Sequence, residues 1–259
     1  MTAVIYIRDS FLSGITILAA GLLPWLITAF LMQLASNSLS KSMTRLLGNN
    51  AYIYSTAFGV AVHELAHAFF CLVFRHKIVA LKLFSPEKGS PAGYVSHSYD
   101  PNNYYQRTGN FFIGTGPVWG GIFVIYLFSR ILLPEAMLPF SNSIRGNMTA
   151  FLDGICSIST WTNWKFYIWL YIALTVGSHI TLSRSDLKGA ADGLLILCGI
   201  IFFSCLVFGW CGNWETVVIA WLINFFFGQL PFISMIFGLL AVFSIFMKLI
   251  PFKRNRQPL

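Results

Sequence analysis

The sequence predicts an all-α polytopic membrane protein with six or seven transmembrane helices and a small membrane-adjacent β-hairpin after the second. Three observations carry this expectation. Of the 259 residues, 56% are hydrophobic and only 10% are charged, whereas a soluble chain carries about 25% charged residues. Mean hydropathy is +0.70, and apolar runs near the roughly 20 residues needed to span a bilayer recur along the chain. The basic residues sit between those runs, so the net charge of +8 reads as loop positive charge flanking spans and not as a nucleic-acid surface.

A short polar start leads into an apolar run with no A-x-A-like cleavage site, which reads as a retained first span at 11–35. Further spans follow at 51–74, 111–133, 164–182 and 187–210. The last run, 217–250, is broken at Gly228-Gln229-Leu230-Pro231. It reads as two spans, one kinked helix, or a span with a re-entrant piece. The whole chain, 1–259, is expected to form one integral membrane domain, with its core at about 51–200 and flanking helices in 1–50 and 211–259.

Two connections stand out. Residues 75–105 are long and polar, with β-type composition at 78–84, a turn at 85–91 and a second β-like stretch at 92–97, which together read as a hairpin. Residues 183–188 form a short charged break in which Ser183 or Ser185 can cap the following helix. Arg75, Lys77, Lys82, Lys88 and Arg107 share one loop, and Arg184 and Lys188 follow on the same side. That bias places the 75–107 loop in the cytoplasm. Five cysteines, including Cys211, lie mostly in apolar runs with no C-x-x-C, so they read as small buried hydrophobes.

The chemistry concentrates in His63-Glu64-Leu65-Ala66-His67, inside an apolar run. H-E-x-x-H on a helix sets two imidazoles one turn apart on one face, as two ligands of a Zn²⁺ ion require, with Glu64 free to act on water. Ionisable groups in a membrane span are costly and mark functional sites, while the structural alternative is a polar cluster joining helices. A catalytic zinc takes three protein ligands and a water. Phe70 and Val73 stand where the soluble three-histidine enzymes carry Gly and His, and Glu87 falls in a turn. The third ligand is therefore sought among His179, Asp186 and Asp192. Asp186, at the polar break beside a helix start, is preferred, with Asp192 as the alternative. Helix capping and helix–helix hydrogen bonding are their structural explanations.

These residues, with Gly93-Tyr94-Val95 in the β-like segment, Gly116-Pro117 opening the next span and a late Asp followed by a helix, resemble the site-2 protease family of intramembrane zinc metalloproteases. The resemblance covers about 51–200 and implies a divergent member that cuts membrane-anchored protein substrates within or next to the lipid bilayer. The family's third-ligand region carries an Asn and prolines before Leu-Asp-Gly. Here residues 179–186 have neither. Ala191-Asp192-Gly193 mimics the Asp-Gly pair, and Leu152-Asp153-Gly154 matches it literally but falls on the opposite side. By position, His179 takes the part of the family's Asn and would donate to the oxyanion. The glycines at 114, 116, 120 and 121 permit close helix approach or a groove for substrate, and the 92–96 strand offers an edge for an extended substrate. A membrane metal-ion transporter and a catalytically inactive membrane adaptor are the competing functions. Compact size and few loops point to a bacterial plasma membrane, and oligomeric state is left open.

Overall fold

The computed structural model describes residues 3–87, 91–134, 144–209 and 214–250. Cys211, the tip of the 85–91 turn with Lys88, and the basic residues after 250 lie outside them. The described chain is mostly helical. Helix α1 (Ala3–Leu47) is followed by a short α2 (Asn49–Ser55) and by α3 (Ala57–Val73), strands β1 (Lys77–Lys82) and β2 (Tyr94–Ser98), and α4 (Tyr104–Leu132). Then come α5 (Ile144–Cys156), α6 (Ile158–Thr162), α7 (Trp164–Gly177), α8 (Arg184–Phe208) and α9 (Trp214–Leu249).

Among the described residues, four helical segments are long and apolar enough to cross a membrane: Ile5–Leu47, Tyr104–Leu132, Arg184–Phe208 and Phe232–Leu249. A fifth is counted if α2 and α3, bent by 59° at their junction, form one broken span. This is fewer than the six or seven spans expected from apolar runs, for two reasons. The run at 164–182 yields an α7 of 14 residues, about 21 Å of helix against a hydrocarbon core of about 30 Å. The run at 217–250 forms one continuous helix through 228–231, and among the described residues the stretch that meets the length and apolarity needed is Phe232–Leu249. At the other extreme, α1 has 45 residues, about 68 Å of helix, and so continues well beyond any hydrocarbon layer.

The expected hairpin forms. β1 and β2 pair antiparallel with Lys77 opposite Ser98 and Lys82 opposite Tyr94, and the register shifts between Ile78 and Ala80, as at a bulge. Glu87, in the turn, is exposed and pairs with Lys82 at 3.0 Å.

The core lies where α1, α4, α7 and α9 meet, around Met32, Leu39, Ile125, Trp169, Val176 and Leu240. Buried Trp169 donates its indole N–H to Ser129 Oγ at 2.7 Å, which satisfies the one polar atom of a large apolar side chain. α1 and α9 run together, and Arg45 donates to the carbonyls of Met247 and Lys248 at 2.9 and 3.1 Å. That cation occupies the negative C-terminal end of α9 and supplies donors its last carbonyls lack.

α4 is the hub, packing against α3, α7 and α8. Small residues let it come close. A Cβ on Gly120 would sit 2.5 Å from the Ala66 Cβ of α3, and one on Gly114 would strike the Asp186 carbonyl oxygen of α8. This close approach on two faces of one helix brings the start of α8 to the H-E-x-x-H turn of α3.

Candidate metal centre

His63 and His67 lie on one face of α3 with ring centroids 4.9 Å apart. Each is anchored through Nδ1 to a backbone carbonyl from a different element. His63 Nδ1 is 2.8 Å from the His179 oxygen, and His67 Nδ1 is 2.7 Å from the Ile113 oxygen. Carbonyls only accept, so both Nδ1 atoms carry the hydrogen.

Both carbonyls are ones the helix ladders leave vacant. The Ile113 oxygen would take its helical hydrogen bond from residue 117, which is Pro117 and has no N–H. His179 follows the last turn of α7, and the N–H four residues on, Ser183, donates to Asp186 Oδ2 at 2.7 Å. Breaks in helix hydrogen bonding thus provide the acceptors that orient both rings.

With Nδ1 protonated, each neutral ring presents a lone pair at Nε2. The two Nε2 atoms face each other at 3.2 Å, and Asp186 Oδ1 lies 3.6 Å from His67 Nε2. One ligand atom from each of His63, His67 and Asp186 falls within 4.8 Å of the others. Three electron-rich atoms converging without a donor among them repel one another, and a cation at their centre turns that repulsion into coordination. The donor set therefore fits a divalent metal with three protein ligands.

Asp186 divides its two oxygens between the two roles expected of it. Ser183 is the N-cap of α8, its Oγ accepting from the Asp186 N–H at 3.1 Å while Asp186 Oδ2 accepts from the Ser183 N–H. This reciprocal capping box fixes the carboxylate and leaves Oδ1 for the centre. Asp192 is placed differently. Its Oδ1 accepts from Arg107 at 2.8 Å and its Oδ2 from Asn110 at 3.1 Å, so both oxygens tie α8 to α4. Asp153, on α5, is exposed and is no part of the cluster.

Glu64 is 8% exposed and accepts no hydrogen bond from the described residues. It lines a cavity of about 390 Å³ together with His63, His67, Asp186 and residues of β2. Gly93, just before β2, is needed here because a Cβ would stand 2.7 Å from Glu64 Cγ. A second cavity of about 360 Å³ shares His63, Glu64 and Gly93 with the first and adds Gln33 and His179. The His179 ring turns Nδ1–H to the Thr175 carbonyl at 2.9 Å, so its neutral form carries a lone pair at Nε2. Donation to an oxyanion, the part expected of this ring, requires its protonated form.

Several contributors have no signature in the sequence. Gln33 of α1 accepts from the Leu182 N–H at 2.8 Å, and Ser36 donates to the Gly177 carbonyl at 2.6 Å. Together they clamp both ends of the loop that carries the His179 carbonyl and Ser183. Asn110 and His97 also line the cavity beside His63, His67 and Asp186. His97 is one of only five histidines in the chain, and that scarcity was the one available signal.

Compared with family models, curated proteins and solved structures, the chain matches none.

Proposed function

We propose that the protein is a membrane-embedded zinc metallopeptidase of the site-2 protease kind, hydrolysing peptide bonds of membrane-anchored proteins within or next to the bilayer. The observation that carries this reading is the convergence of two Nε2 lone pairs and Asp186 Oδ1 on one point, beside a glutamate with no hydrogen-bond partner among the described residues, in a cavity of peptide size. Water must reach this depth, and the cavity's polar wall at Ser183 and Ser185 gives it a path.

His63, His67 and Asp186 would hold the ion, which when bound supplies Lewis acidity that polarises a carbonyl and makes water more acidic. Glu64 takes a proton from the attacking water at its carboxylate and passes it to the departing amine nitrogen. The Ile113 and His179 carbonyls keep both imidazoles in the tautomer that ligation needs. β2 borders the cavity, and in this two-stranded sheet it can align an extended substrate segment by edge pairing. On the positive-inside reading, the hairpin side is cytoplasmic.

The test uses purified full-length protein in liposomes with a single-span membrane-anchored reporter. Bound zinc is measured by elemental analysis and cleavage by mass spectrometry. Glu64→Gln is expected to keep its zinc and lose cleavage by at least about a hundredfold, within the range of general-base contributions. Undiminished cleavage by Glu64→Gln would sink the mechanism.

A further inference from the structure

The wall of the metal cavity contributed by β2 and the start of α4 has a fixed hydrogen-bonding polarity. It begins at His76, beyond α3, where Arg75 takes a left-handed conformation (φ 58°) and the His76 N–H returns to the Cys71 carbonyl at 2.8 Å. That turn sets the His76 ring against α4, with Nε2 2.8 Å from the Gln106 carbonyl oxygen, and against Tyr99, with ring centroids 5.0 Å apart and planes inclined by 20°. The carbonyl only accepts, so His76 is protonated at Nε2, and its Nδ1 holds a lone pair.

His97 of β2 places its Nδ1 3.0 Å from that lone pair. It must therefore donate from Nδ1, and its remaining ring nitrogen, Nε2, is an acceptor. Burial lowers the pKa of both rings below the ordinary histidine value, and in His97 the neighbouring His76 and His67 lower it further. Both rings are accordingly neutral near pH 7.

Asn110, only 5% exposed, lines the same cavity. The Asp192 carboxylate can only accept, so Asn110 turns Nδ2 to it and keeps Oδ1 as an acceptor with no partner among the described residues. Among the described residues, neither lysine nor arginine lines this cavity. Arg107, the nearest basic residue in sequence to Asn110, is committed to Asp192.

We propose that His97 Nε2 and Asn110 Oδ1 form a subsite that holds a hydrogen-bond-donating side chain, carboxamide or hydroxyl, of the substrate residue beside the scissile bond. A carboxylate there would meet two acceptors. An apolar side chain would leave both acceptors desolvated and unpaired, the more costly error in a closed site. This assignment rests on the peptidase reading and adds its substrate class.

The test is a binding measurement on the zinc-loaded full-length protein in lipid nanodiscs. Three dipeptide hydroxamates, identical except for Asn, Asp or Leu next to the metal-binding group, compete with a fluorescent hydroxamate. The Asn compound is expected to bind about tenfold more tightly than Asp and about fivefold more tightly than Leu, the scale of one net hydrogen bond. In His97→Phe, at unchanged zinc content, both ratios should fall below about twofold. His76→Phe leaves His97 in place but frees its tautomer, and should reduce the preference part of the way. Equal affinities in the unaltered protein, or a preference that survives His97→Phe, would overturn the subsite. Because binding needs no turnover, an Asn preference without Glu64-dependent cleavage would overturn the peptidase reading alone. Flat affinities with intact cleavage would overturn the subsite alone.

Discussion

His67 Nδ1 donates to the carbonyl of Ile113 at 2.7 Å, the one carbonyl of α4 that Pro117 deprives of its helical donor. A residue with no side-chain chemistry thereby orients an imidazole on a neighbouring helix. Pro117→Ala would restore an N–H that competes for the Ile113 oxygen and would release His67 from its tautomer. Zinc affinity, measured by chelator competition, is expected to fall about tenfold, the lower end of what loss of an outer-shell partner costs. The helix content should not change.

The clamp from α1 makes a separate prediction. Gln33→Leu leaves the Leu182 N–H without its acceptor and loosens the loop carrying the His179 carbonyl, so zinc affinity should again drop by about tenfold. Gln33→Glu keeps an oxygen at that position and should recover most of the affinity. Equal losses in both variants would mean that packing of α1, and not the hydrogen bond, is what matters.

The two aspartates separate by readout. Asp186→Ala removes a converging oxygen and half of a capping box, and is expected to abolish stoichiometric zinc binding. Asp192→Ala breaks the link to Arg107 and Asn110 and should lower thermal stability while zinc is retained. The opposite pattern would transfer the ligand role to Asp192.

Helix approach can be tested at two glycines. A Cβ on Gly120 would overlap Ala66, so Gly120→Val should destabilise the protein by about 1–3 kcal/mol through overpacking and lower zinc occupancy as α3 shifts. Gly189 has nothing within 4 Å of a Cβ, and Gly189→Ala should leave melting temperature and zinc content as they are.

What could be read from the sequence was local. His63 and His67 are four residues apart, and helix geometry alone makes them neighbours. The hairpin is legible from β-type composition around a turn, and Asp186 from a charged interruption between apolar runs. Other features depend on contacts distant in sequence or on backbone atoms, which carry no residue-specific signal. The Ile113 and His179 carbonyls are of this kind, as is the reach of Gln33 across from α1 to Leu182. The span count expected from apolar runs differs from the helices among the described residues for a different reason. Apolar composition does not register the bend at Thr56 or the early end of α7 at Gly177, and it stops short where α1 continues as helix through polar residues to Leu47.

The most direct test of the metal centre is zinc X-ray absorption on the purified, zinc-supplemented full-length protein. One zinc per chain is expected, coordinated by nitrogen and oxygen only at about 2.0–2.2 Å, with outer scattering from two imidazoles that is lost in His63→Ala and His67→Ala. Failure to retain a stoichiometric metal, or a spectrum dominated by sulfur, would contradict it.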